Sequence, residues 1–328
     1  MPGIFCFLIA VGYLPLPGLR IPKDINTSLR NLLFRHLTKL VTVPDRRKII
    51  QQSAAAIILL TIAIIISCSP AKKNAGTTGK NLDWRRVRVL VYTKNGKGYV
   101  HTNIASGVAS IKQLGEKNGF AVDVSDNPAD FTDKNLGRYN ALIFNNTNND
   151  VFDNDEQKLA LMKYIQAGGG FVALHSATGT ERNWPWFKRM IGASFLRHAK
   201  HQAFTEVIID PTNPSTNFLP NSWAQDDECY FFKEVNPDLH VLMAHRLSTL
   251  LDDKDKPDFY GASSPSAWCH QFDGGREWYT SLGHDSTTYF KQDFQQHILG
   301  GIAWVIGDNK PLDYSKAHAK SPNDPLPY

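Results

Sequence analysis

Residues 167–176 read AGGGFVALHS, and they give the strongest indication of the fold. Three glycines end a helical pattern, and the apolar run FVAL at 171–174 is typical of a strand buried on both faces of a parallel sheet. His175 follows at the carboxyl end of this strand. Because ligands bind at the carboxyl edge of an open α/β sheet, the stretch predicts a central strand that carries His175 to a binding site.

Short β-rich runs alternate with helical patterns before this strand, which predicts a parallel sheet with crossover helices. The predicted elements are strands at 87–92, 120–124 and 141–144, and helices at 103–117 and 153–166. Asp153 and Glu156 resemble a capping box at the start of the second helix. After residue 176 the pattern is less regular, with predicted strands at 204–209 and 240–244, a hairpin at 267–281 and a closing helix at 292–305.

The net charge of +5 conceals an asymmetry along the chain. Residues 1–80 hold 11 Lys or Arg and 2 acidic residues, which leaves 25 basic and 29 acidic residues for the remainder. A nucleic-acid-binding protein concentrates positive charge on its folded part, and this chain does the opposite. The charge distribution therefore argues against a nucleic-acid partner.

Residues 46–68 have the layout of a signal peptide: a basic triplet at 46–48, a largely apolar stretch at 54–66, and Ser67-Cys68. As a helix the apolar stretch rises only about 20 Å, short of the roughly 30 Å that a spanning helix crosses. Residues 65–68 (IISC) resemble the lipobox of bacterial lipoproteins. We therefore expect lipidation of Cys68 and a membrane-tethered protein on the periplasmic side. The alternative is a short buried helix with a chance cysteine.

The chain is expected to have four parts. A leader occupies residues 1–67, a flexible tether 68–83, an α/β domain 84–308 and a C-terminal tail 309–328. The charged flank of the signal peptide lies far from residue 1, and translation from a codon near Val41 or Val43 would give a leader of conventional length. In the domain Cys229 and Cys269 either pair as a disulfide or remain as two buried free thiols.

Six local motifs resemble the trehalose-utilisation (ThuA-like) family, in the expected order across the predicted domain. They are YVH at 99–101, AGGGFVALHS at 167–176, WPWF at 184–187, IGA at 191–193, DExY at 227–230 and WYTSLGHD at 278–285. The resemblance implies the fold of the class I glutamine amidotransferases, a flavodoxin-like three-layer sandwich with a mainly parallel central sheet and a site at its carboxyl edge. It also implies a link to sugar metabolism.

The sequence departs from the family pattern at three positions. Cys229 stands where Trp is usual, Ser264 where His precedes Pro265, and Thr102 where Asp is common. In the amidotransferases the turn after the equivalent strand carries a nucleophilic Cys on a tight glycine-flanked bend. Here that turn reads LHSA, so glutamine hydrolysis by this route is not expected, and Ser176 lacks the flanking glycines of a hydrolase nucleophile.

His101, His175 and His284 each follow an apolar run that reads as a strand, so the fold could bring them to one edge. Imidazoles titrate near neutral pH, which suits acid–base work on a hydroxylated substrate, and they are common transition-metal ligands. With Asp227 or Glu228 they could hold zinc or another divalent metal with an open position. The alternative for each His is a structural hydrogen bond, and no cofactor is certain from the sequence.

Adjacent side chains of a strand point to opposite faces, so one of Asp227 and Glu228 is expected to enter the site, and we favour Glu228 as general base. The substrate-binding residues are expected to include Asp227, His198, Tyr230 and two of the domain's tryptophans, Trp186 and Trp268, which could stack on a sugar face. His201, His240, His245, His270 and His297 are expected to be structural or solvated.

Two functions remain open at this point. The first is an enzyme that acts on a sugar or an oxidised sugar derivative through acid–base or metal-assisted chemistry at His101, His175, His284 and Glu228. The second is a non-catalytic lipoprotein that binds carbohydrate in the same cleft. We favour the enzyme because binding alone does not require several titratable groups at one edge.

Overall fold

The computed structural model describes residues 82–252, 261–308 and 310–327. Cys68, the predicted leader and most of the predicted tether lie outside these residues. Among the helices of the described ranges, none combines the length and the apolar character that crossing a bilayer requires.

The described residues form eleven strands and five helices. The strands are β1 (Arg88–Tyr92), β2 (Ala121–Ser125), β3 (Ala141–Asn145), β4 (Gly170–Leu174), β5 (Ser194–His198), β6 (Gln202–Ile208), β7 (Ser222–Asp227), β8 (Tyr230–Lys233), β9 (His240–Arg246), β10 (Ser263–Phe272) and β11 (Gly275–Thr280). The helices are α1 (Ile104–Asn118), α2 (Asp133–Leu136), α3 (Asp155–Gln166), α4 (Pro185–Ile191) and α5 (Gln292–Ile306).

Nine of the described strands form one sheet in the order β2-β1-β3-β4-β11-β10-β9-β6-β7. The first five pair in parallel, and the other four extend the sheet in antiparallel fashion. Only β10 and β6 run against the common direction of the remaining strands. The predicted α/β fold with a mainly parallel central sheet is therefore confirmed.

Successive side chains of the parallel strands face two separate cores, because strand side chains alternate between faces. Along β1, Leu90 and Tyr92 pack in a core shared with α3 and α4. Val89 and Val91 pack in a second core shared with α1 and α5. An apolar strand of this kind needs cover on both faces, and the helices on either side produce the three-layer sandwich.

Helix α3 begins one residue later than the predicted capping box. Asn154 is the N-cap, and its side-chain oxygen accepts the N–H of Gln157 at 3.1 Å. Gln157 Oε1 in turn accepts the N–H of Asp153 at 2.8 Å. The box therefore uses Asn154 and Gln157 rather than Asp153 and Glu156, since an Asn and Gln at this spacing satisfy the free N–H groups equally well.

The antiparallel extension curls over the carboxyl edge of the parallel strands. Three strands separate β7 from β11 in the sheet, yet the N–H of Gly283, just after β11, donates to Asp227 at the end of β7. The pairing of β10 with β9 shifts register around Ser266, and a β-bulge of this kind bends a strand. β5 and β8 form a separate two-stranded sheet, so residues 228–229 link the two sheets.

The fold also shows the state of the two cysteines of the domain and the contacts of the C-terminal residues. Cys229 and Cys269 are both buried free thiols, so they do not form the disulfide that the sequence left open. The tail after residue 309 packs against α3 and α4. Gln166 Oε1 accepts the N–H groups of His318 and Ala319 at 2.9 Å each, and Trp184 Nε1 donates to the Pro322 carbonyl at 2.8 Å.

Candidate functional site

His175 occupies a strained turn at the carboxyl end of β4. Its φ of 50° lies in the left-handed region that non-glycine residues rarely adopt. The Tyr279 hydroxyl donates to its carbonyl at 2.8 Å and helps to hold this turn. Asn146, directly after β3, has a φ of 54°. Backbone strain of this kind clusters at functional sites, and here it marks the carboxyl edge of two neighbouring strands.

The protonation state of the His175 ring follows from its partners. Nδ1 lies 2.7 Å from the Ser281 carbonyl, which can only accept, so Nδ1 carries the proton and Nε2 keeps its lone pair. The Tyr230 hydroxyl lies 2.9 Å from Nε2 and donates to it. Burial holds the pKa of His175 well below its usual 6.5, and the nearby His101 acts in the same direction. His175 is therefore a neutral imidazole at neutral pH.

Four side chains converge at this edge, and we call them the His–Glu cluster: His101, His175, Glu228 and His284. Each offers one ligand atom, and these atoms all lie within 4.8 Å of one another. Glu228 Oε2 is 3.2 Å from His284 Nδ1 and 3.7 Å from His175 Nε2. Four such side chains at this separation could hold a metal ion, although ligand atoms around a tetrahedral zinc ion lie closer together, about 3.4 Å apart.

The electrostatics of the cluster differ from one imidazole to the next. Burial is the main cause that lowers the pKa of His101 to about 4, and a buried Nδ1 of this ring has no hydrogen-bond partner among the described residues. Glu228 raises the pKa of His284 above 6.5. The cluster thus combines two neutral imidazoles, which can donate lone pairs, with an imidazole–carboxylate pair.

Asp227 supports the cluster from behind. Its Oδ1 accepts the N–H groups of Glu228 at 2.8 Å and His284 at 3.1 Å, and its Oδ2 accepts the N–H of Gly283 at 2.8 Å. The side chain is fully buried, and burial raises its pKa to about 6 against the effect of these three donors. Of the two adjacent carboxylates, Glu228 enters the cluster, whereas Asp227 fixes the backbone of two of its members.

A cavity of about 410 Å³ opens beside the cluster, within the size range of small-molecule sites. Its lining residues are Tyr99, His101, Asn148, Ser176, Gly179, Arg182, Phe195, His198, Glu228 and Tyr230. His198 and Tyr230 both line the cavity. His198 Nδ1 also lies 3.3 Å from Oε1 of Glu228. His175 and His284 are not among the lining residues, and both lie behind Glu228, which does line the cavity.

Trp186 and Trp268 lie in the core rather than at the cavity. Trp186 Nε1 donates to Asp273 Oδ2, and Trp268 Nε1 donates to the Ile191 carbonyl, each at 2.9 Å. Both side chains are buried. The prediction that they bind substrate is therefore corrected. A Trp side chain can fill a core or stack on a sugar, and these two are core residues because they are buried. The exposed aromatic side chain on the cavity wall is that of Tyr99, which is 63% exposed.

Five residues of the cavity wall were not predicted as site residues: Tyr99, Asn148, Gly179, Arg182 and Phe195. Tyr99 belongs to the quoted YVH motif, so its position offered a signal. Arg182 and Phe195 offered none, because single Arg and Phe residues are common on loops and strands. Of the five histidines expected to be structural or solvated, His245, His270 and His297 are buried, and His240 faces a carboxylate at the surface. The fifth, His201, pairs with Asp285, and its ring centroid lies 5.9 Å from that of His284.

The sequence of the α/β domain matches a known family. A family model described as ThuA, trehalose utilisation, matches residues 88–305. This chain is a member of the ThuA family. All four residues of the His–Glu cluster fall within the matched range.

Two solved ThuA-like proteins share the fold. One, from Bacteroides uniformis ATCC 8492, is 20% identical, with a TM-score of 0.56 over 72% of this chain and 95% of that one. The other, from Parabacteroides merdae ATCC 43184, is 19% identical, with a TM-score of 0.52 over 67% of this chain and 90% of that one. No curated protein matches the sequence.

Proposed function

We propose that this ThuA-family protein is an enzyme that acts on a sugar or an oxidised sugar derivative. The observation that carries the proposal is the convergence of His101, His175, His284 and Glu228 beside a cavity of about 410 Å³. Titratable groups gathered at the carboxyl edge of an α/β sheet, with displaced pKa values, are typical of active sites. A hydroxylated substrate suits such groups because its reactions require proton transfer.

The donor set fits a divalent transition metal, with zinc as the first candidate. Imidazole nitrogens and a carboxylate oxygen are the ligands that zinc accepts, and two of the imidazoles are held neutral by burial. His175 also donates its other N–H to a backbone carbonyl, as metal-binding histidines usually do. A bound metal would supply Lewis-acid polarisation of a substrate oxygen.

The protein's own groups have distinct tasks in this proposal. Glu228 lines the cavity and lies between His284 and His198, so it is placed to accept a proton from the substrate and pass it to an imidazole. His101 lines the cavity with a ring nitrogen free for a ligand. His175 and His284 lie behind Glu228, away from the cavity, where they would act as metal ligands or as partners of the Glu228 carboxylate.

The experiment combines metal analysis with turnover on a panel of sugars and sugar acids. We expect about one metal per chain in the wild type, lost in His175→Ala. Turnover should fall by at least about 100-fold in both His175→Ala and Glu228→Gln. His240→Ala is the control, since His240 pairs with Asp210 away from the cavity and its loss should change neither readout.

A non-catalytic carbohydrate-binding protein is the second candidate. Tyr99 and Phe195, which both line the cavity, favour this function because aromatic faces stack on sugars. It would be supported by wild-type protein that binds sugars without any turnover and by His175→Ala with unchanged sugar affinity. That pair of results would overturn the enzyme proposal.

We also propose that the protein is anchored on the periplasmic side of a bacterial membrane through a lipid on Cys68. The lipobox-like IISC sequence and its basic flank support this proposal, and Cys68 lies outside the described residues. The proposed partners are a small carbohydrate and this membrane, and nucleic acid is not a proposed partner. Cys68→Ser should move the protein from the membrane fraction to the soluble fraction, and an unchanged distribution would contradict the anchor.

A further inference from the structure

Arg182 is fixed at the wall of the cavity. Its Nε donates to the Gly179 carbonyl at 2.9 Å, and its Nη2 donates to Asn148 Oδ1 at 3.2 Å. The guanidinium carbon lies 5.7 Å from the centroid of the Phe195 ring. All three partners line the same cavity. Because a guanidinium has five N–H donors, these contacts orient the group and leave donors for a ligand.

The charge of Arg182 has no carboxylate partner among the described residues, and the neighbouring Glu181 shows why. Glu181 turns into the core, where Oε1 accepts the N–H of Val151 at 2.9 Å and Oε2 pairs with Lys158 Nζ at 2.8 Å. Glu181 adopts a φ of 47°, in the left-handed region. The Glu181 carboxylate is thus paired with Lys158, whereas the Arg182 guanidinium lies on the cavity wall with no ion pair to a carboxylate among the described residues.

We infer that Arg182 binds an oxyanion of the substrate, a carboxylate or a phosphate on a sugar or polyol. The inference rests on the proposed function and deepens it by naming a substrate class. The planar fork of a guanidinium matches the oxygens of either group through paired hydrogen bonds. The Phe195 ring backs the guanidinium, and Tyr99 offers an exposed aromatic face on the same cavity. Arg182 thereby selects acidic sugars over neutral ones and orients them toward the His–Glu cluster.

Calorimetric titration of the full chain tests the inference with four probes: glucose, glucuronate, gluconate and glucose 6-phosphate. In the wild type we expect one of the anionic probes to bind at least about tenfold more tightly than glucose. Arg182→Gln should remove that preference, so that the anionic probes bind no more tightly than glucose. Arg182→Lys should retain part of it, because the charge remains but the fork is lost. The carboxylate and phosphate probes decide which oxyanion the site takes.

Arg246→Gln is the matched control, since Arg246 is an exposed arginine outside the cavity lining. It removes the same charge and should leave all four affinities unchanged. Metal content and thermal midpoint, measured for each variant, show that the fold is retained. Equal wild-type affinities for glucose and the anions, or anion binding that survives in Arg182→Gln, would overturn the inference but leave the proposed function standing. Absence of both sugar binding and metal uptake in the wild type would overturn the proposed function itself.

Discussion

Asp227 illustrates how one buried residue can determine a site that it does not enter. Its two carboxylate oxygens accept three backbone N–H groups, and two of these belong to Glu228 and His284 of the His–Glu cluster. The third belongs to Gly283, so one side chain joins the end of β7 to the segment after β11. The separation between Glu228 and His284 therefore depends on Asp227.

Asp227→Asn should destabilise the protein and weaken the cluster together. The amide keeps one acceptor oxygen but turns an NH₂ group toward a backbone N–H, which leaves buried donors unpaired at a cost of about 1–3 kcal/mol. Because supporting residues of a metal site typically affect metal affinity by 10–100-fold, we expect zinc affinity to fall by about that factor. Chemical unfolding and metal titration measure the two effects.

Asp226→Asn is the control for this substitution. Asp226 precedes Asp227 but its side chain is 68% exposed and lies 3.5 Å from His201 at the surface. Its amide variant should change the free energy of unfolding by no more than about 0.5 kcal/mol. Equal effects of the two substitutions would show that the backbone hydrogen bonds of Asp227 do not organise the cluster.

Single residues were predictable where their position in the chain carried information. His101, His175 and His284 stand just after apolar runs, and Glu228 stands in a quoted motif, so the sequence could nominate them as neighbours. Trp186 and Trp268 could not be placed, because a tryptophan in the core and one at a sugar site have the same local sequence. Arg182 can be nominated as a binding residue only once it is known that the Glu181 side chain pairs with Lys158 and not with Arg182. A sequence does not show that pairing.

Helix α5 shows how close packing is enforced at the level of an element. A Cβ placed on Gly301 would lie 2.4 Å from Cδ2 of Trp278. Trp278 is fully buried in β11, and its Nε1 donates to Ser215 Oγ at 3.1 Å, so it has no room to move. The glycine therefore lets the helix approach the strand whose end leads to His284.

Gly301→Ala should destabilise the protein although alanine is the better helix former. The helical preference for alanine is worth about 1 kcal/mol, whereas forcing a methyl group against a fixed indole costs typically 1–3 kcal/mol or more at so short a distance. We expect a net loss of about 1–3 kcal/mol in the free energy of unfolding. Gln296→Ala, on the exposed face of the same helix, should lose less than about 0.5 kcal/mol. A Gly301→Ala protein as stable as the wild type would contradict this packing.

The strands of the parallel half were predictable, and of the antiparallel extension β6, β9 and β10 were predicted whereas β7 was not. Strands β1, β3 and β4 are continuous apolar runs because helices cover both of their faces. β7 has the sequence SWAQDD and is buried at alternate positions only. A sequence this polar looks the same as that of a surface loop. β5 and β8 are short and pair with each other, so neither shows its partner locally.

At the level of the whole molecule the site depends on contacts between distant parts of the chain. The parallel strands bring His175 and His284 to one edge through the pairing of β4 with β11. Glu228 arrives from the far end of the sheet because the extension curls back over that edge. This curvature arises from twist and from the register shift in β10, and neither is encoded in a pattern of residues that can be recognised without the structure.

Burial of His297 should make the whole molecule less stable in mild acid. His297 in α5 is fully buried, with Nδ1 2.7 Å from the Ser215 carbonyl, and burial lowers its pKa from 6.5 to about 4. In the unfolded chain the imidazole takes up a proton below about pH 6.5, whereas the folded protein resists protonation until about pH 4. Acid therefore favours the unfolded state over this range, by at most about 1.4 kcal/mol per pH unit for one group.

His297→Asn isolates this effect from other buried groups. The Asn side-chain amide can still donate to the Ser215 carbonyl but does not titrate, while Asp227 and Glu277, whose pKa values are raised by burial, are common to both proteins. The variant should be less stable at neutral pH because it fills less of the space beside Trp278. As the pH falls from about 6.5 to about 4, the difference in unfolding free energy should shrink and then favour the variant, since only the wild type carries the acid-sensitive imidazole. Denaturant unfolding at several pH values measures this difference, and a value that stays constant across the range would show that His297 takes up its proton in the folded protein as readily as in the unfolded chain.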